Sequence, residues 1–212
     1  YVDGKRQHLF VCDADGQNCR DVTPGDRDAN PTSTTFSSSI DYTFTPDSNH
    51  LVFTAVSAKG EAWMTNYDLC RVSVDNTSTE WETLTKANKA ADSGPQFSPD
   101  GKKLAWRSQT KPGYEADKWN LILVTCNPDG SFAGEAKNLT AKLDRSVDQF
   151  AFTSGQQRLI FTAEEEGESA LYEVRANQDS MPARFYFSQG MRGQIQGLTA
   201  YLQSTDDGGM RV

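Results

Sequence analysis

Apolar and polar residues alternate in short bursts along this chain, and the clearest burst is Phe97-Ser98-Pro99-Asp100-Gly101-Lys102-Lys103-Leu104-Ala105-Trp106-Arg107. Pro99 presets φ for a turn corner, Asp100 can bond the backbone ahead of it, and Gly101 accepts positive φ without a Cβ clash. After the turn, Leu104 and Trp106 share one strand face while Lys103 and Ala105 share the other. The stretch predicts a β-hairpin. The pattern returns at Phe44-Thr45-Pro46-Asp47-Ser48-Asn49-His50-Leu51-Val52-Phe53-Thr54, with Ser48 in the glycine slot. It returns again at Phe152-Thr153-Ser154-Gly155-Gln156-Gln157-Arg158-Leu159-Ile160-Phe161-Thr162, without the Pro-Asp pair. Phe44 to Phe97 is 53 residues and Phe97 to Phe152 is 55, so a unit of nearly constant length repeats. The stretch 203–212 reads as a degenerate fourth copy.

A second mark recurs at the unit ends: Val22-Thr23, Leu84-Thr85 and Leu139-Thr140, with Phe187-Ser188 as a weaker match. Between these marks the middle unit predicts strands at 94–98, 104–108 and 120–126 and a short one ending at Thr140. The preceding unit predicts strands at 40–45, 50–56, 67–74 and 81–85, and the following unit at 147–153, 158–163, 170–174 and 183–188. No segment holds a helical period over three turns. Four antiparallel strands in about fifty residues is the make-up of one β-propeller blade. The fold class is therefore all-β, a partial β-propeller of four-stranded antiparallel blades. Residues 1–25 end one blade, 26–86, 87–141 and 142–190 form one each, and 191–212 start the next. A larger ring is favoured over a four-bladed closure of the two end pieces, because propellers carry about 4–8 blades.

The 212 residues are 36% hydrophobic with a mean hydropathy of −0.65, which suits short, half-exposed strands joined by polar turns. A net charge of −8 and a pI near 4.8 argue against a nucleic-acid or anionic-membrane partner, since both reward Lys and Arg. No apolar run approaches the roughly 18 residues that span a bilayer. Cys12 and Cys19 flank a hairpin turn, Asp-Ala-Asp-Gly-Gln-Asn, and are placed to form a disulfide; Cys70 and Cys126 have no such local partner. With no Cys-x-x-Cys pair and only His8 and His50, neither a metal site nor a cofactor is implied. Asn76-Thr77-Ser78 and Asn138-Leu139-Thr140 are N-glycosylation sequons. With the disulfide they point to a secreted or lumenal/periplasmic protein.

One segment breaks the regular frame: Thr110-Lys111-Pro112-Gly113-Tyr114-Glu115-Ala116-Asp117-Lys118-Trp119, between the second and third strands of the middle unit. It gathers two carboxylates and two large aromatics on one loop. The plain reading is a solvated turn with Trp119 packed inward and both acids in water. The chemical reading is a cation site, because carboxylates beside aromatic faces suit an ammonium group through charge-assisted hydrogen bonds and cation–π attraction.

The run Gly-Pro-Gln-Phe-Ser-Pro-Asp-Gly-Lys-Lys-Leu-Ala-Trp-Arg-Ser-Gln, the loop Lys-Pro-Gly-Tyr-Glu-Ala-Asp-Lys-Trp and the later Leu143-Asp144-Arg145-Ser146-Val147-Asp148 resemble the propeller of the prolyl oligopeptidase family of serine peptidases. The branch they resemble is that of dipeptidyl peptidase V and related acylaminoacyl-type enzymes. The resemblance extends through Gly25–Pro31 and Glu61–Asn66 and covers most of residues 8–175. It implies a propeller that restricts access and a companion α/β-hydrolase domain carrying Ser, Asp and His. It also implies a peptide substrate whose free N-terminal ammonium is held by propeller residues. Carried over residue by residue, Glu115 is the ammonium anchor, Tyr114 and Trp119 wall the subsite, Asp117 orients the loop, and Asp144 and Arg145 brace the wall. A homodimer is a further partner expectation. No Gly-x-Ser-x-Gly nucleophile elbow occurs in the 212 residues; Gly167-Glu168-Ser169-Ala170-Leu171 lacks the second glycine. Glu164-Glu165-Glu166 reads as a solvated hairpin end. The competing reading is a non-catalytic, protein-binding propeller of the TolB type.

Overall fold

The computed structural model describes residues 4–31, 35–38, 40–56, 63–75, 80–155, 158–177, 181–185, 193–195, 197–198 and, in backbone only, 203–204 and 210–211. Three four-stranded antiparallel sheets follow one another. The first contains β3 (Tyr42–Phe44), β4 (His50–Ala55), β5 (Asp68–Ser73) and β6 (Glu82–Thr83). The second contains β7 (Asp92–Phe97), β8 (Lys103–Ser108), β9 (Asn120–Thr125) and β10 (Lys137–Asn138). The third contains β11 (Phe150–Phe152), β12 (Arg158–Glu165), β13 (Glu168–Arg175) and β14 (Ala183–Arg184). Two-stranded pairs flank them, β1 (Phe10–Val11) with β2 (Arg20–Asp21) and β15 (Gln203–Ser204) with β16 (Met210–Arg211). Each strand pairs with the next in sequence, so every sheet closes from contiguous chain without a crossover. The fold is an all-β partial propeller; among the described residues there is no α-helix.

The strand alternation sorts residues between two cores rather than between core and water. On β4, Leu51, Phe53 and Ala55 join Cys70 and Val72 of β5 against Val22 and Ala29. Val52 and Leu69 point the other way and meet Leu104, Trp106, Val124 and Cys126 of the second sheet. Ala105, Leu121 and Leu123 of that sheet in turn pack on Phe150, Leu159, Phe161 and Tyr172 of the third. The expectation of half-exposed strands is thus corrected, because the middle strands of the first two sheets are covered on both faces by neighbouring segments, and the central residues of β12 and β13 in the third are likewise buried. The polar composition resides in the turns and in outer strands such as β10 and β14, whose residues are exposed. Phe53 and Phe161 are fully buried, each worth about 1.5–3 kcal/mol of hydrophobic transfer. Phe161 also pairs in register with Tyr172, their rings stacked 5.3 Å apart.

The repeated turn is a small hydrogen-bonded device. In the second sheet the Ser98 hydroxyl donates to Asp100 Oδ1 (2.6 Å), which also accepts the Lys102 N–H (3.1 Å), while the Lys103 N–H donates to Ser98 Oγ (3.0 Å). Thr45, Asp47, Asn49 and His50 repeat those bonds in the first sheet. The Ser98 bond, aided by the Lys102 N–H, holds the Asp100 carboxyl below its ordinary range. Gly101 sits at φ +69°, and a Cβ there would lie 2.7 Å from Pro46 Cβ of the neighbouring turn. Gly101→Ala is therefore expected to cost about 2 kcal/mol, combining left-handed strain with a sheet-to-sheet clash. A urea midpoint unchanged from the parent would refute this.

The recurring Leu-Thr ending has a physical cause. The Thr23, Thr85 and Thr140 hydroxyls accept the backbone N–H of Leu9 (2.8 Å), Leu69 (3.0 Å) and Leu121 (2.9 Å). The outer strand pairs over only two residues, and the hydroxyl continues the ladder past its end. In the third sheet Phe185 takes the leucine's place, its N–H donating to Leu171 O at 2.8 Å. That is two residues ahead of Phe187-Ser188, which lie outside the described residues.

Candidate functional site

In these up-and-down sheets the β4–β5 and β8–β9 connections leave from the end opposite the Pro-Asp turns, together with the links from one sheet to the next. The loop after β8 is tied at several points. Asp117 is buried (7% exposed), and its Oδ2 accepts the Thr110 N–H (2.8 Å), the Thr110 hydroxyl (3.0 Å) and the Lys111 N–H (2.9 Å). Burial alone raises the Asp117 pKa, but these bonds outweigh it and hold the carboxyl below its ordinary range. Gln109, 1% exposed, donates both amide hydrogens across the loop, to Glu115 O (2.9 Å) and Asp117 O (2.8 Å). Gly113, at φ +73°, donates its N–H to Thr65 Oγ1 of the first sheet's corresponding loop at 3.1 Å.

The consequence is a division of labour between two carboxylates that stand two residues apart. Asp117 is consumed in fastening the loop, and Glu115 is exposed, its carboxylate making no hydrogen bond or ion pair among the described residues. Tyr114 is 52% exposed, with the Lys111 ammonium 5.4 Å from its ring centroid. The plain alternative puts both acids in water; only Glu115 is there.

Trp119 is not on this open surface. The residue is 8% exposed in a cluster with Phe36, Val56, Tyr67 and Ala91, and the Arg107 guanidinium lies 4.7 Å over its ring. The Trp119 N–H donates to Ser146 Oγ (3.2 Å) and its C=O accepts the Val147 N–H (2.9 Å), which pins the residue at the start of β9 with its ring inward. Trp119 and the exposed Tyr114 ring therefore do not share one open surface. Asp144 is fully exposed, and Arg145 donates to the Asp144 carbonyl (2.5 Å) and leans towards Glu165 Oε1 at 3.9 Å. Glu165 is further engaged by Arg184 (2.7 Å) and the Tyr172 hydroxyl (3.2 Å). Among the described residues no hydrogen bond or ion pair joins Asp144 or Arg145 to Tyr114 or Glu115.

Two residues of this region escaped the sequence reading. Arg107 is 5% exposed and donates to Asp148 O (3.0 Å), Ser37 O (3.0 Å) and Ser93 Oγ (3.2 Å), so one guanidinium touches the leading segments of all three sheets. Burial lowers its pKa, opposed by Asp148 and Asp41. Its sequence signal is a charge that directly follows Leu104, Ala105 and Trp106, a run apolar on both faces of β8. Gln109 carries no comparable signal. The leading strands also line a cleft of about 530 Å³, with Ile40, Gln96, Asp148, Gln149 and Phe150 in its wall, but none of the loop residues reaches it. The free Glu115 carboxylate, rather than the cleft, has the chemistry to hold a cation; the Tyr114 ring that precedes it in sequence already faces the Lys111 ammonium. Among the described residues no group of three or more His, Cys, Asp or Glu is arranged to hold a metal ion.

No protein-family model matches the chain. Dipeptidyl-peptidase 5 of Porphyromonas gingivalis is 26% identical over 136 residues, 63% of this chain and 19% of that protein. Dipeptidyl-peptidase 5 of Aspergillus oryzae is 24% identical over 193 residues, 86% of this chain and 26% of that protein. The chain is related in sequence to dipeptidyl-peptidase 5. It spans about a fifth to a quarter of the length of these curated relatives. Among solved structures, a puromycin-hydrolyzing peptidase of Mycobacterium tuberculosis aligns with a TM-score of 0.59 at 18% identity, covering 95% of this chain and 31% of that one. TolB of Acinetobacter baumannii aligns with a TM-score of 0.53 at 17% identity, covering 85% and 38%. These likenesses establish the propeller fold.

Cys12 and Cys19 are joined in a disulfide, their Cα atoms 4.1 Å apart across the first hairpin. Cys70 and Cys126 are buried free thiols, pushed up by burial to about 12 and about 11. Asn138 is exposed on β10 and its Oδ1 accepts the Thr140 N–H (3.0 Å); Asn76 lies outside the described residues.

Proposed function

We propose that this chain is the propeller portion of a secreted serine exopeptidase of the dipeptidyl-peptidase type, with Glu115 anchoring the free N-terminal ammonium of a peptide. The observation that carries the reading is the unpaired, exposed Glu115 carboxylate on a loop tied by Asp117, Gln109 and Thr65. Tyr114 flanks the ammonium, and Trp119 packs inward at the end of the loop, where it fixes the start of β9. Asp144 and Arg145 brace the neighbouring connection, with Arg145 turned to Glu165. Bond cleavage belongs to a companion α/β-hydrolase domain, to which the propeller controls access. Secretion is supported by the Cys12–Cys19 disulfide.

The test is Glu115→Gln in the full-length enzyme, which keeps the side chain's size and removes its charge. A charge-assisted bond worth about 1.5–3 kcal/mol predicts a ten- to hundredfold fall in kcat/KM for free-amine dipeptide substrates. N-blocked substrates should change less than about twofold. Equal losses on both would reject the anchor. The TolB likeness keeps a second reading, a protein-binding scaffold. A reading frame that continues into Gly-x-Ser-x-Gly followed by Asp and His would exclude it.

A further inference from the structure

Gln109 combines near-complete burial with a geometry only a primary amide provides. Its Nε2 supplies two hydrogens from one atom, and each meets a carbonyl of the loop, Glu115 O at 2.9 Å and Asp117 O at 2.8 Å. An aliphatic side chain would leave both carbonyls unbonded, and a carboxylate would set its own negative oxygens against them. The residue itself has little freedom. Its backbone N–H donates to Ala91 O (2.8 Å), and its backbone C=O accepts from Asn88 Nδ2 (3.1 Å). The same Asn88 amide also donates to Asp92 Oδ2 and Ser108 Oγ, both at 3.1 Å. A continuous line of hydrogen bonds thus runs from the leading strand of the second sheet, through Asn88 and Gln109, to the backbone of Glu115. Asp117 fastens only the start of the loop, at Thr110 and Lys111. Thr65 takes the Gly113 N–H ahead of it, and Gln109 is the side chain that holds the Glu115 carbonyl itself.

We infer that Gln109, kept in register by Asn88, is the positioning residue that sets where the Glu115 carboxylate stands and thereby enforces the preference for peptides with a free N-terminus. The inference rests on the anchoring reading of Glu115. A displacement of about 1 Å in an anchoring group is enough for large losses, and here it acts only on substrates that use the anchor.

The experiment compares Gln109→Met, Glu115→Gln and their combination in the full-length enzyme, on a free-amine dipeptide substrate and its N-acyl counterpart. Gln109→Met should raise KM for the free-amine substrate about tenfold, with kcat and all N-acyl parameters within about twofold. Added to Glu115→Gln it should have no further effect, because there is no longer a charge to position. A loss shared equally by both substrates, or one that adds in full to that of Glu115→Gln, overturns the role of Gln109 while leaving the anchor intact. Absence of any selectivity in Glu115→Gln removes the anchor and this inference with it. If Gln109→Met does not fold, Gln109→Glu takes its place. Its side chain repels the two carbonyls when ionised and donates to one when protonated, so its free-amine preference relative to the parent should be lost at pH 8 and partly recovered at pH 5. No recovery overturns the proposal.

Discussion

Replacing Arg107 by methionine is expected to destabilise the sheets by about 4 kcal/mol. Hydrogen bonds from a charged donor contribute about 1.5–3 kcal/mol each. Arg107 makes three, to Ser37 O, Ser93 Oγ and Asp148 O, and the full sum is reduced because the Ser37 and Asp148 carbonyls lie near water that can replace it. Methionine keeps the packing on Trp119 but supplies no donor. Arg107→Lys should recover little, since one ammonium cannot reach three acceptors fanned around a planar fork. Urea unfolding followed by tryptophan fluorescence reads the result, with Trp106 and Trp119 both in the affected cores. A loss below about 1 kcal/mol would mean that Arg107 does not tie the sheets together.

The second expected result concerns pH. Asp92 is 1% exposed, and burial pushes its carboxyl up to about 6, only partly offset by hydrogen bonds from Ser108, Trp106 Nε1 (2.8 Å) and Asn88 (3.1 Å). Because the folded pKa lies above the unfolded one, the folded chain binds the proton more tightly. Asp92 therefore contributes most below about pH 4, and that contribution is lost as pH rises through 6. A shift of about two units corresponds to roughly 3 kcal/mol. Asp100, Asp117 and Asp129 are shifted down and pull the other way, so the parent's own profile mixes both signs. The difference between the parent and Asp92→Asn isolates the effect, since asparagine keeps an acceptor for Trp106 and does not titrate. The variant should gain about 3 kcal/mol relative to the parent between pH 4 and pH 7. Parallel stability curves across that range would show that Asp92 titrates normally.

The hairpins were readable because their determinants are local. Pro99, Asp100 and Gly101 specify a turn within four residues, and the Ser98–Asp100 bond confirms that chemistry at a sequence separation of 2. The Leu-Thr ending was readable as a repeat but not as a mechanism, since the hydroxyl's partner lies 14 to 19 residues upstream on another strand. Alternation along β4 and β8 says that neighbouring residues face opposite ways, and it is silent on what covers each face. The low hydropathy therefore suggested water on one side of strands that are buried on both.

The loop 110–119 followed the same rule. Two carboxylates two residues apart look alike in sequence, and only the path of the backbone decided that Asp117 takes the N–H groups of Thr110 and Lys111 while Glu115 stays free. The ring of Trp119 and the guanidinium of Arg107 were placed by partners as far away as Ser37, 70 residues before Arg107. By itself the sequence determined the repeating turn, the order of strands and the single irregular loop, all of which depend on neighbours a few residues apart. Only the tertiary structure decided which faces are covered, which acid is available and which buried residues hold it in place, because those outcomes depend on groups that meet only when the sheets pack.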